Sequence, residues 1–191
     1  GDFAVVIGQG LSDAGYASVA VGVLKKAGGH WDRSAEYWSA LCVAANRILD
    51  EKTLVVAAKR FYELEPRNPM AVNNYACALL IMRERAGEAV ALTSGLVRER
   101  PGNLTLMLNY ASALLLSGRA NEAKEIVLGI RPDRLTRSEM AQYEFTRCEL
   151  GIQLRDKRLA AEAHSRIDPA TLFPEQARWL SVEMEKLRKG G

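Results

Sequence analysis

The chain has 191 residues, a net charge of +3 and 48% apolar residues, enough for one large domain or an elongated array of small units. Near-balanced charge and 7% aromatic residues argue against a nucleic-acid or anionic-membrane surface and leave few rings for base stacking. No apolar run approaches the roughly 18 residues of a membrane span.

The first element, FAVVIGQGLSDAG from Phe3 to Gly15, has two incompatible readings. It is either a strand entering a nucleotide-binding glycine turn, or an amphipathic helix with glycines at a close helix crossing. A dinucleotide fingerprint requires a third glycine three residues after Gly10, where Asp13 stands, and a second strand after the next helix. The stretch after YASVAVGVLKKAGG is HWDRSAEYWSALCVAAN, in which Trp38, Leu41, Cys42 and Ala45 recur at helical spacing. The helical reading is the consistent one.

Further along, EPRNPMAVNNYACALL (65–80) aligns with RPGNLTLMLNYASALL (100–115). Pro66 pairs with Pro101, Asn68 with Asn103, Asn74 with Asn109, Tyr75 with Tyr110 and Ala76 with Ala111. Glu88 and Ala89 then pair with Glu122 and Ala123 at a distance one residue shorter, which places an extra residue in the turn RERAGE. Past Gly129 the pattern loosens, because Pro132 arrives early and shortens the helix before it. A helix is expected from Arg137 to Leu154, with Ala141, Phe145, Cys148 and Ile152 on one stripe. LAAEAHSRI forms the next, ending before Asp168-Pro169. Pro174 opens a last helix, PEQARWLSVEMEKLRK, with Ala177, Leu180 and Met184 on its apolar stripe.

A unit of about 34 residues with a proline near its end and small residues at fixed positions resembles the tetratricopeptide repeat. The resemblance implies an all-α, right-handed superhelical solenoid of antiparallel helix pairs, with units at 1–34, 35–68, 69–103, 104–137 and 138–171 and a capping helix at 174–189. Unit position 8, where the second helix crosses the first, holds Gly8, Cys42, Ala76 and Ala111. Gly15 and Gly118 fall at the turn inside a unit, where a left-handed backbone is expected. The first unit departs from the pattern, with Asp32 in place of the terminal proline and Ala4 where a large aromatic is usual.

At 100° per residue, positions 4, 7, 8 and 11 of the first helix face its partner, and positions 2, 5, 9 and 12 point roughly 160° away. In a stacked array the second set lines the inner wall. The expected peptide groove comprises Ser39, Val43, Asn46, Arg47, Asn73, Asn74, Cys77, Ile81, Leu108, Asn109, Ser112 and Leu116. Asn74 and Asn109 share a position in neighbouring units. Their carboxamides either grip a peptide backbone, donating and accepting, or bond locally. Leu80, Ile81, Leu115 and Leu116 form either an exposed apolar strip that marks a partner site or a strip covered by the neighbouring helix. Arg47 is the only cation on this wall, so the paired basic residues of a carboxylate clamp are missing.

No catalytic constellation can be nominated: His30 and His164 lie apart from each other and from Cys42, Cys77 and Cys148, which also rules against a metal site. No cofactor is expected. Three separated cysteines read as buried thiols of a reducing, cytoplasmic setting. The start at Gly1-Asp2 shows no signal peptide and points to a segment of a longer polypeptide. The expected function is non-catalytic binding of a protein or peptide. The competing reading is a spacer or self-association segment, such as the scaffold part of an enzyme or of a secretion or export protein.

Overall fold

The computed structural model describes residues 3–189, and among them the chain is all-α, with eleven helices and no strand. In chain order these are α1 (Phe3–Asp13), α2 (Ala17–Ala27), α3 (Ala35–Arg47), α4 (Glu51–Leu64), α5 (Pro69–Met82), α6 (Ala86–Glu99), α7 (Leu104–Leu116), α8 (Ala120–Gly129), α9 (Arg137–Gln153), α10 (Lys157–His164) and α11 (Pro174–Lys189). Two compact units are formed, residues 1–78 and 79–191, the division falling within α5.

Short acceptor side chains start five of these helices. Ser34, Asp50, Asn103, Thr136 and Asp156 each accept a hydrogen bond from the backbone N–H three residues on, satisfying a donor that the helix itself cannot. At Thr136 the bond is reciprocal, because the Glu139 carboxylate accepts from the Thr136 backbone N–H.

The turns within helix pairs share one closure. Gly15, Leu49, Arg83, Gly118 and Arg155 all have positive φ, between 55° and 89°. Each is followed by a residue whose N–H bonds a carbonyl five positions back: Tyr16 to Leu11, Asp50 to Ala45, Glu84 to Leu79, Arg119 to Leu114 and Asp156 to Gly151, at 2.8–3.0 Å. That is the Schellman termination, which reverses the chain over very few residues. The two glycines expected to be left-handed are so, and three further turns use non-glycine residues.

In the first unit α1 packs on α2, both contact α3, and α3 packs on α4. Leu24, Tyr37, Trp38, Leu41, Cys42, Leu54 and Phe61 are buried there, with Ala20, Ala44, Ala57 and Ala58. Gly8 is buried at the α1–α2 crossing, where a Cβ would come within 2.7 Å of the Leu24 side chain. The opening glycine thus serves a helix crossing. In the second unit α7 contacts α6, α8 and α9, and α9 contacts α8, α10 and α11. One apolar cluster joins Leu108, Leu114, Leu115, Val127, Ile130, Tyr143 and Leu150. Another joins Phe145, Cys148, Ala160 and Ala163 to Leu180 and Met184 of α11.

Gly151 marks the tightest crossing. A Cβ there would sit 2.5 Å from the Ala160 backbone nitrogen and 2.9 Å from its Cα. Gly151→Ala is expected to destabilise the fold by about 1–3 kcal/mol through overpacking, although alanine in a helix ordinarily gains up to about 1 kcal/mol over glycine. Urea denaturation of the two proteins checks this. The capping box supplies a second expectation. Hydrogen bonds from the Thr136 backbone and hydroxyl, and from Thr105, hold the Glu139 carboxyl below its ordinary pKa. Its stabilising contribution is therefore complete above the ordinary carboxylate range and is lost as the pH falls through the lowered folded value. Glu139→Gln should cost about 1 kcal/mol at pH 7, and the gap to wild type should narrow in urea titrations as the pH is lowered below the ordinary carboxylate range.

Candidate functional site

In the first unit the expected wall is partly open. Val43, Asn46 and Arg47 of α3 are exposed, as is Met70 at the start of α5, while Ser39, Asn73, Asn74 and Cys77 are half-buried. These residues share a face because α3 and α5 both turn their small residues (Ala44, Ala45, Ala71, Ala76) into the core. Two polar groups are already engaged. Asn74 lies close enough to the Cys42 thiol to offset part of the rise that burial gives it. Arg47 donates to the Ser12 carbonyl and pairs with Asp13 at 3.0 Å, tying the end of α3 to the end of α1. Placing a cation on the last carbonyls of α1 is also favourable to that helix.

In the second unit most of the expected wall is closed, which corrects the exposure assumed for it. Ile81, Leu108 and Asn109 are buried, at 4%, 0% and 2% exposure, and so is Leu115. Leu108 and Leu115 belong to the core that α9 seals against α7. Only Ser112 and Leu116, with Leu80, remain half-buried. The polar wall positions of α7 turn sideways to α9 in an ordered series. Thr105 donates to Glu139 at 2.8 Å, Gln142 donates to Asn109 at 2.5 Å, and Ser112 meets Thr146 at 3.1 Å. Gln153 then donates to the Leu115 carbonyl at 2.7 Å. The local-bonding alternative thus describes the geometry of Asn109.

The sequence reading missed the most heavily desolvated charge. Glu149 is 1% exposed on α9 and accepts from Arg83 at 2.6 Å. The Arg83 guanidinium also lies 3.8 Å from the centre of the Trp179 ring on α11, and Trp179 packs against Phe145. Burial pushes the Glu149 carboxyl up, and the Arg83 charge pulls it back. One guanidinium thus joins the end of α5, the middle of α9 and the last helix, through an ion pair and a cation–π contact. The partners are 66 and 96 residues apart in sequence (149 − 83 and 179 − 83), and no local motif announces them.

Chemically the site offers recognition surfaces. Burial pushes the Cys42 and Cys148 thiols up to about 12, far from a nucleophile's range. Among the described residues no cluster of three or more His, Cys, Asp and Glu could hold a metal, and no helix is long and apolar enough to cross a membrane. A shallow cleft of about 430 Å³ lies between α7 and α8, lined by Tyr110, Leu114, Asn121, Glu122, Glu125 and Ile126. Its Glu122 is bound at 2.7 and 2.6 Å by Arg119.

A family model described as tetratricopeptide repeat matches residues 80–142, the stretch from the end of α5 through α6, α7 and α8 to the first turn of α9. No curated protein matches the chain.

Arg83 and Arg155 test what the charge contributes, because both have φ 55°. Arg155→Gly relieves left-handed strain at an exposed turn and should stabilise the protein by about 0.5–1 kcal/mol. Arg83→Gly relieves the same strain but strands the Glu149 carboxylate, and should cost about 3–5 kcal/mol. A raised folded pKa makes protonation favour the folded state, so the Arg83→Gly deficit should shrink as the pH is lowered. Paired urea titrations at pH 7 and pH 5 read both effects.

Proposed function

We propose, from the tetratricopeptide-repeat model matched at residues 80–142 and that family's general role in protein–protein interaction, that this protein is a non-catalytic scaffold holding an extended protein segment along the first-helix faces of residues 1–78. The observation that carries this reading is the exposure of Val43, Asn46 and Met70 beside half-buried Asn73 and Cys77. Val43 and Met70 are 38% and 49% exposed, and offer apolar contact. Asn46 adds a side chain that both donates and accepts, suited to a peptide backbone. On this reading the ligand adds a short extended or helical segment, bound mainly by an apolar anchor and a few amide bonds. A neutral or mildly acidic segment fits best, since Arg47 lies at the end of the same face.

Panning a library of random peptides of about 12 residues on the intact chain, with Kd measured by fluorescence anisotropy, tests the surface. Val43→Glu with Asn46→Ala should weaken the selected peptides by at least about tenfold, or about 1.4 kcal/mol. Ser112→Ala should leave them unchanged. Equal affinity for the double variant and the wild type would reject this surface.

A further inference from the structure

In the second unit the links from one helix pair to the next are dominated by charge of one sign. The end of α6 and its link to α7 hold Arg98, Glu99 and Arg100. The link from α8 to α9 holds Arg131, Asp133 and Arg134, and Arg137 is the first residue of α9. All seven are exposed. Five arginines thus stand among two acids, a surplus of three that equals the net charge of the whole chain. Neither stretch, 98–103 or 131–138, contains a lysine or an aromatic residue.

The fold brings the two stretches side by side. Asn103 caps α7 and Thr136 caps α9, and just inside those caps Thr105 donates to Glu139 at 2.8 Å. Leu104 and Leu135 pack beneath into one apolar cluster. Tight turns hold the arginines near the caps: the Asn103 N–H donates to the Arg100 carbonyl at 3.3 Å and the Arg134 N–H to the Arg131 carbonyl at 3.1 Å. Elsewhere in this unit Arg83, Arg119, Arg147 and Arg166 each hold a carboxylate. Among the described residues no ion pair engages Arg100, Arg131, Arg134 or Arg137. Arg134 and Arg137 also sit against the positive end of α9, where a cation is unfavourable, so the stability of that helix does not account for them.

We propose that this edge binds an acidic segment of a partner protein, its carboxylates taken by Arg100, Arg131, Arg134 and Arg137. The edge belongs to the second unit, and its binding is independent of the peptide face of the first. Charge complementarity selects an anion, and the planar guanidinium fork takes both oxygens of a carboxylate where an ammonium would not. With no ring in either stretch, bases have nothing to stack on, which favours an acidic polypeptide over a nucleic acid. Packed helices stand about 8–10 Å apart, the reach of about three residues of extended chain, so carboxylates at that spacing meet arginines of both links.

Fluorescence anisotropy of the intact chain with a labelled peptide of about nine residues, one glycine to every two glutamates and about 30 Å long when extended, reads this binding. Kd should be on the order of 10–100 µM at low ionic strength and weaken as salt screens the charges. Arg134→Gln with Arg137→Gln should weaken it at least about tenfold. Lys157→Gln with Arg158→Gln removes the same charge from exposed positions at the other end of α9, about 25 Å away, and should leave Kd within about twofold. All four side chains are exposed, so the melting temperature of each variant should equal or exceed that of the wild type. A wild type that does not bind the glutamate peptide, or equal weakening by the two variants, overturns the proposal. So does tighter binding of a single-stranded oligonucleotide of equal charge that is lost with Arg134 and Arg137.

Discussion

Two helices joined by a turn this short can lie antiparallel only if one residue between them turns left-handed, and the Schellman bond from the next residue then closes the last turn. Gly15, Leu49, Arg83, Gly118 and Arg155 all do this. Once the chain is reversed, the helices of a pair meet near the turn, and whatever lies there must be small or shaped to the partner. Gly8 against Leu24 and Gly151 against Ala160 are the tightest instances. Ala20, Ala57, Ala58, Ala123 and Ala160, all fully buried, are the same demand met on second helices. The repeat period follows from that geometry, since each reversal returns the chain to where the next helix can stack.

Stacking then decides the fate of the polar residues. A first helix has a face toward its own partner, a face toward the preceding pair, and a strip between them that the next first helix approaches. In the second unit that strip is consumed by Thr105–Glu139, Asn109–Gln142 and Ser112–Thr146. Three side-chain pairs at nearly constant separation fix the sliding register of α7 against α9, which apolar contact alone leaves loosely specified. Arg83 adds a contact of another kind, reaching a buried carboxylate on α9 and an aromatic face on α11. The first unit lacks a comparable ladder between α3 and α1 among its described contacts, and Arg47 at the helix ends does that work. Exposed wall residues therefore concentrate on α3.

Much of this was legible from spacing. The α9 and α11 boundaries, the shortened α8 and the crossing role of Gly8 all come from apolar stripes, prolines and small residues, because those signals are local or strictly periodic. Two left-handed turns were visible because glycine advertises them, whereas Leu49, Arg83 and Arg155 adopt the same conformation under closure forces that composition does not display. The wall was read too generously. Helical direction alone put Asn109, Leu108 and Ile81 on an open face, but all three are buried, and α9 reaches Asn109. The spacing of one helix cannot report the lateral reach of its neighbour. The Arg83–Glu149–Trp179 contact was invisible for a related reason, since nothing periodic connects residues of three different helices.

The titratable groups divide into an enclosed set and an exposed one. Glu149 and Glu144 are buried and committed to arginines, and the two buried thiols are held in their protonated form by desolvation. A catalytic group must be both perturbed and accessible. Here the strongly perturbed groups are enclosed within helix packing, and the accessible residues of α3 (Val43, Asn46 and Arg47) carry one apolar contact, one amide and one cation already shared with Ser12 and Asp13. Such a face can discriminate partners through complementarity and a modest number of hydrogen bonds.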